Sequence, residues 1–227
     1  MLQIVALIAV SWLILWLTER GDLSVLGLAP TVQRVKYVAI LFSVSAIISG
    51  SAYLLKMYFA KEVYVVDGTL TTTGFLIESW YQIRTVLTEE LLCRGVILYI
   101  MIKKWGQGPA ILVSSILFAL LHWLNAGVWG NVVPMALVFA FTFAMGLLLA
   151  YSYARSNSLL LPFAIHLGWN WMQNYVFPNH PVGNHVFVLD GPPPVVTISY
   201  LAFFTMLLLP KIAVLVVNYG IVRSYRS

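Results

Sequence analysis

The sequence predicts an all-α, polytopic transmembrane helical bundle, and three observations carry that expectation. Hydrophobic residues make up 61% of the 227 positions and charged residues only 9%, far below the roughly 25% that clothes a soluble domain. The apolar residues fall in long runs punctuated by charges, Gly and Pro, the pattern of helices crossing a hydrocarbon core about 30 Å thick. Lysine and arginine gather in alternate connections, which reads as a topology signal and gives no support for nucleic-acid binding. Helices are required because an open sheet edge leaves backbone polar groups unsatisfied in lipid.

Seven spans follow in order. Residues 2–17 form an unbroken apolar run without a basic leader or a small-residue cleavage signature, so it reads as a retained first span and not a signal peptide. The second span, 37–60, is bounded by Lys36 and Lys61. The third, 75–102, opens with an amphipathic turn that sets Ile77, Trp80 and Tyr81 against Glu78 and Arg84, a composition suited to the lipid–water interface. Spans 109–125 and 134–154 flank a Trp129 connection without Lys or Arg. Span 159–177 follows Arg155, and span 195–217 precedes Arg223 and Arg226. Together they describe one integral-membrane domain over residues 1–227, with the chemistry-bearing core at about 85–174.

Arg20, Arg34, Lys36, Lys103, Lys104, Arg155, Arg223 and Arg226 fall on one set of connections, and Lys61 stands alone on the other. This asymmetry places the N-terminus outside and the C-terminus in the cytoplasm. The single cysteine, Cys93, excludes an intrachain disulfide. It reads as a small buried hydrophobe and not as a nucleophile.

Against this apolar background six polar residues stand out: Glu89, Glu90 and Arg94 in the third span, His122 in the fourth, and His166 with Asn170 in the sixth. An ionisable group at mid-bilayer costs roughly 2.5–3.5 kcal/mol on insertion scales, so it is kept only for a task. Counting from the cytoplasmic flanks at about 1.5 Å per residue puts Glu89, His122, His166 and Asn170 roughly 16–27 Å up their helices, so three helices bring polar groups to overlapping depths. Glu90 and Arg94, spaced i,i+4, face each other as a structural pair. Glu89 points about 100° away around the helix and is the candidate general base. His166 and Asn170, also i,i+4, present hydrogen-bond donors for a developing oxyanion. His122 is placed to assist water activation.

The strings Glu-Glu-Leu-Leu-Cys-Arg-Gly (89–95), Phe-Ala-Leu-Leu-His (118–122) and His-Leu-Gly-Trp-Asn (166–170) resemble the three motifs of the CAAX-protease and bacteriocin-processing family of glutamic intramembrane endopeptidases. The approach to the third string, 145–166, is also similar. The resemblance implies a metal-independent and cofactor-free peptidase in a cell membrane, cutting a membrane-bound or lipid-proximal protein. It implies that Glu89 activates water with help from His122, that His166 and Asn170 form the oxyanion site, and that Glu90 and Arg94 support the architecture. Cys93 is a departure, since family members usually carry an aromatic residue there.

Other functions remain open on the residues alone. Buried Glu, His and Arg also build proton-coupled transporters, although no internal repeat is visible in the sequence. A non-catalytic immunity or scaffold protein could keep the same fold. A zinc peptidase would draw on Glu89, His122 and His166 without an H-E-x-x-H spacing. His180, His185 and Asp190 in the Pro- and Gly-rich loop 178–194 read as a solvated loop. Trp123, Trp169 and Trp171 read first as packing residues.

Overall fold

Why each helix starts where it does is visible in its first turn. Thr31, Thr71 and Ser199 each turn a side-chain oxygen onto a backbone N–H three residues ahead, that of Arg34, Gly74 and Ala202, satisfying one of the orphan donors of a helix N-terminus. Pro109, Pro134 and Pro162 each sit third in their helix, where a missing N–H costs no intrahelical bond. The computed structural model describes residues 2–177 and 185–226. In chain order the helices are α1 (Leu2–Glu19), α2 (Val32–Leu55), α3 (Thr72–Arg94), α4 (Val96–Trp105), α5 (Gln107–Leu121), α6 (Val132–Ser156), α7 (Leu160–Trp171) and α8 (Tyr200–Arg223). A π-helical turn extends α2 over Lys56–Ala60 and another extends α7 over Met172–Val176.

Among the described residues five segments are long and apolar enough to cross a membrane: Leu2–Glu19, Val32–Ala60, Gln107–Leu124, Val132–Ser156 and Tyr200–Arg223. The chain is an integral membrane protein with an all-α bundle, as its composition requires. The two predicted spans outside this group carry five of the six polar side chains, Glu89, Glu90, Arg94, His166 and Asn170, while His122 lies in the segment Gln107–Leu124. Predicted span 75–102 is divided at Gly95 into α3 and α4. A Cβ at Gly95 would lie 2.2 Å from the carbonyl oxygen of Leu91, so the chain closes on itself there as only glycine allows. The sixth predicted span is the 12-residue α7 with its π-helical turn. The last predicted span begins later than expected, at Tyr200, and reaches Arg223.

One feature was not expected from the sequence. Two three-residue strands, β1 (Tyr64–Val66) and β2 (Phe187–Leu189), pair antiparallel with Val65 opposite Val188. They tie the connection after α2 to the one before α8.

Packing then positions the interior helices. Helix α7 lies along α2, α5 along α6, and α8 against α2 and α6, while α1 flanks α3 and α4. Gly168 permits α7 to approach α2 closely, because a Cβ there would meet the Phe42 carbonyl oxygen at 2.4 Å. The basic connections meet at one end of the bundle. Glu19 pairs with Lys103, Leu159 N donates to Leu26 O at 2.8 Å, and the Gln33 amide donates to the Arg226 carbonyl. The alternation of Lys and Arg along the sequence is thus a clustering in space.

Candidate active site

The i,i+4 spacing on α3 brings Arg94 Nη1 to 3.1 Å from Glu90 Oε1, and both side chains are wholly buried. Helix α7 delivers His166 onto the same oxygen, its Nδ1 lying 2.8 Å from Glu90 Oε1. A carboxylate oxygen only accepts, so Nδ1 donates, and the ring is fixed with Nε2 turned away from Glu90. There Nε2 accepts from Asn170 Nδ2 at 3.2 Å and stands 3.6 Å from Glu89 Oε2. Glu90, Arg94, His166, Asn170 and Glu89 therefore form one connected cluster across α3 and α7. The Glu90–Arg94 pair anticipated from spacing is present, with His166 as its third member.

His122 ends α5 at a short 3-10 turn. Its Nδ1 lies 2.8 Å from the Phe118 carbonyl oxygen one turn back. A carbonyl accepts, so the proton sits on Nδ1 and Nε2 is left as a lone-pair acceptor. His122 makes no hydrogen bond to Glu89 among the described residues; the two share cavity walls instead.

A cavity of about 800 Å³ is lined by Glu89, His122, His166 and Asn170, along with Trp169 and His185. A second cavity of about 380 Å³ approaches Glu89 and His122 past Gln3, Leu92 and Leu121. Glu89 and His122 border both, with Phe118 and Thr85 beside them. The Glu89 side chain is 33% exposed, whereas Glu90 is sealed. Two adjacent carboxylates thus differ in access to water: one is held among Arg94 and His166, and the other opens on the cavity.

Phe118, which opens the second motif string, adds a contact that no sequence motif predicts. Its ring lies 3.9 Å from the Arg94 guanidinium carbon. Its edge contacts are with His122 at 4.4 Å and His166 at 5.5 Å between ring centroids. One aromatic ring touches a side chain from each of the three motif strings. Its i,i+4 spacing to His122 was the available signal.

Other expectations are corrected or refined here. His185 is not a solvated loop residue: it is 7% exposed and lines the larger cavity. Pairing of β1 with β2 draws that part of the loop onto the bundle. His180 lies outside the described residues. Trp169 lines the cavity, while Trp123 donates to the Met135 carbonyl at 3.0 Å and Trp171 packs on Phe42 and Tyr175. Cys93 is buried, and its carbonyl accepts from Ser114 Oγ at 2.8 Å. No group of three His, Cys, Asp or Glu side chains suited to a metal ion occurs among the described residues.

A helical membrane bundle with a buried carboxylate–imidazole cluster open to a cavity defines the class of protein. Comparison with known families narrows it: residues 71–172 match the model described as Rce1-like, Type II CAAX prenyl endopeptidase Rce1-like. The matched stretch spans α3 to the end of α7 and contains all six predicted site residues, so the family resemblance read from the motifs holds over it. That family is one of proteases, which are hydrolases. No curated protein and no solved structure matches the chain.

Proposed function

We propose that the chain is an intramembrane glutamic endopeptidase that hydrolyses a peptide bond of a membrane-associated protein without a metal ion. The observation that carries the proposal is the division of labour between Glu89 and Glu90. Glu90 is enclosed by Arg94 and His166, whereas Glu89, 3.6 Å from His166 Nε2, reaches the cavity.

In this reading a water bound between Glu89 and His122 gives a proton to the Glu89 carboxylate, while His122 Nε2 accepts its second hydrogen bond. The water oxygen forms a bond to the carbonyl carbon of the substrate, and the carbonyl electron pair moves onto oxygen. Asn170 Nδ2–H and, when His166 is doubly protonated, Nε2–H stabilise that oxyanion. The C–N bond then breaks as Glu89 returns its proton to the leaving nitrogen, so no covalent intermediate is needed. Glu90 and Arg94 hold the His166 ring in place.

The matched family name suggests the substrate class: a C-terminal CAAX segment whose cysteine carries a prenyl chain. A lipid-proximal substrate suits a polar cavity set within a lipid-embedded bundle. The proposed setting is a cell membrane, with the N-terminus outside and the basic end of the bundle in the cytoplasm.

The test is cleavage of a fluorescent farnesylated CAAX peptide by the purified chain in proteoliposomes. Glu89→Gln should lower turnover by about 10²–10⁴-fold, the range of a positioned general base, with the thermal transition unchanged. Undiminished turnover in Glu89→Gln removes Glu89 as the base. Substrate-dependent proton flux without cleavage would favour the transporter reading instead.

A further inference from the structure

The larger cavity continues well beyond the proposed chemical centre. Gln82 and Glu78 line it from α3, about two and three turns before Glu89 and so roughly 10–16 Å along the helix. Asn174, one turn past Asn170, and His185 line the same cavity. The mechanism above uses none of these four.

His185 is the informative one. It is 7% exposed, yet among the described residues neither Nδ1 nor Nε2 has a hydrogen-bond partner. A buried polar group left unpaired is destabilising, and native structures rarely keep one idle. The backbone beside it is held firmly. Val186 N donates to Tyr175 O at 3.1 Å, and Val186 O accepts from Asp67 N at 3.0 Å. The nearest acid along the strand pair, Asp67, is committed to Thr69: the Thr69 backbone N–H and hydroxyl hold its carboxyl below the ordinary value, with His185 a lesser influence.

The ligand follows from the inventory of hydrogen-bonding groups. A neutral imidazole offers one donor and one acceptor, and the primary amides of Gln82 and Asn174 offer both as well. A peptide unit needs one of each. A polypeptide that unwinds for cleavage loses its helical backbone bonds, and lipid cannot replace them. We propose that His185 is a positioning residue that hydrogen-bonds the main chain of an extended substrate lying along this cavity, with Gln82 and Asn174 continuing the row. The proposal rests on the peptidase reading given above.

The experiment uses the full chain in proteoliposomes and the fluorescent farnesylated CAAX peptide. His185→Phe keeps ring bulk and removes both polar atoms; His185→Gln restores a donor and an acceptor. For His185→Phe the expected result is a KM raised about tenfold, the worth of a lost hydrogen bond or two, with kcat within about twofold. His185→Gln should recover most of that loss. In the Glu89→Gln background, peptide Kd measured by anisotropy should rise in parallel with KM. An unchanged KM and Kd in His185→Phe, or a fall in kcat alone, overturns the proposal while leaving the peptidase reading intact. Failure of the parent chain both to cleave and to bind the peptide overturns both. Should His185→Phe fail to fold, Gln82→Leu carries the same comparison, and an unchanged KM there is equally fatal.

Discussion

Glu90 Oε1 accepts from two side chains at once, Arg94 Nη1 at 3.1 Å and His166 Nδ1 at 2.8 Å, although His166 lies 76 residues further along the chain. The carboxylate therefore works as a joint between α3 and α7 and decides which His166 nitrogen faces the cavity. Replacing it with Gln keeps an oxygen for one partner but removes the charge that serves both. Glu90→Gln and His166→Gln should each lower kcat sharply. The double variant should be no worse than the worse single one, because residues acting as a unit are not additive. Steady-state kinetics on the three variants decide this, and additive losses would separate the two residues.

Arg94→Leu leaves Glu90 sealed without its guanidinium. Breaking a buried pair from one side costs about 3–5 kcal/mol. Thermal and SDS denaturation of the detergent-solubilised protein should show that loss. The double variant Glu90→Met/Arg94→Leu should recover more than half of the stability while remaining inactive. Recovery of activity would contradict the joint described above.

Phe118→Leu removes the face on which Arg94 rests and the ring edge that both imidazoles touch. The cation–π contact alone is worth about 0.5–2 kcal/mol. Misplacing the imidazoles should lower kcat by between about tenfold and a hundredfold. Phe118→Tyr, which keeps the ring, should retain more activity than Phe118→Leu; the reverse order would show that the ring face is irrelevant.

Gly168→Ala forces a methyl group against the Phe42 carbonyl and Ser45, and overpacking of this kind costs about 1–3 kcal/mol. Because Gly168 lies between His166 and Asn170, activity should fall with stability. Gly220→Ala is the control: nothing lies within 4 Å of its added carbon. There the helix propensity of alanine makes the change neutral or stabilising by up to about 1 kcal/mol.

Prolonged treatment with EDTA or 1,10-phenanthroline should leave peptide cleavage unchanged. A loss restored by added zinc would replace the metal-free mechanism with a metallopeptidase one, since stripping an essential zinc abolishes its activated water.

How far the sequence reaches can be judged residue by residue. Spans α1, α2, α5 and α6 were legible because long apolar runs with charged flanks leave few alternatives. The division at Gly95 was not, since an isolated glycine in a helical pattern is usually tolerated. The β1–β2 pair was invisible because three residues carry no periodicity. Within the site, the Glu90–Arg94 pair is a matter of local spacing and could be read directly. The Glu90–His166 bond depends on how α7 settles on α2, which only the folded chain displays. His185 was misread for the same reason: its burial is set by a strand partner more than 100 residues earlier in the chain, at Tyr64–Val66. Phe118 was passed over because an aromatic residue in a membrane helix is ordinarily packing.

The polarity of α3 and the shortness of α7 bear on biosynthesis. Translocon insertion favours segments that partition into lipid singly, and a carboxylate or guanidinium at mid-helix opposes that step by a few kcal/mol. Neither helix is suited to leave the translocon alone. Helix α3 must be retained until its charges are neutralised, and α7, emerging after α6, brings the imidazole that completes Glu90 and docks on the already inserted α2. The order of the helices along the chain then sets the order of assembly, and in a chain stalled before α7 emerges a cysteine placed beside Glu89 should stay open to a water-soluble maleimide and close once α7 is released.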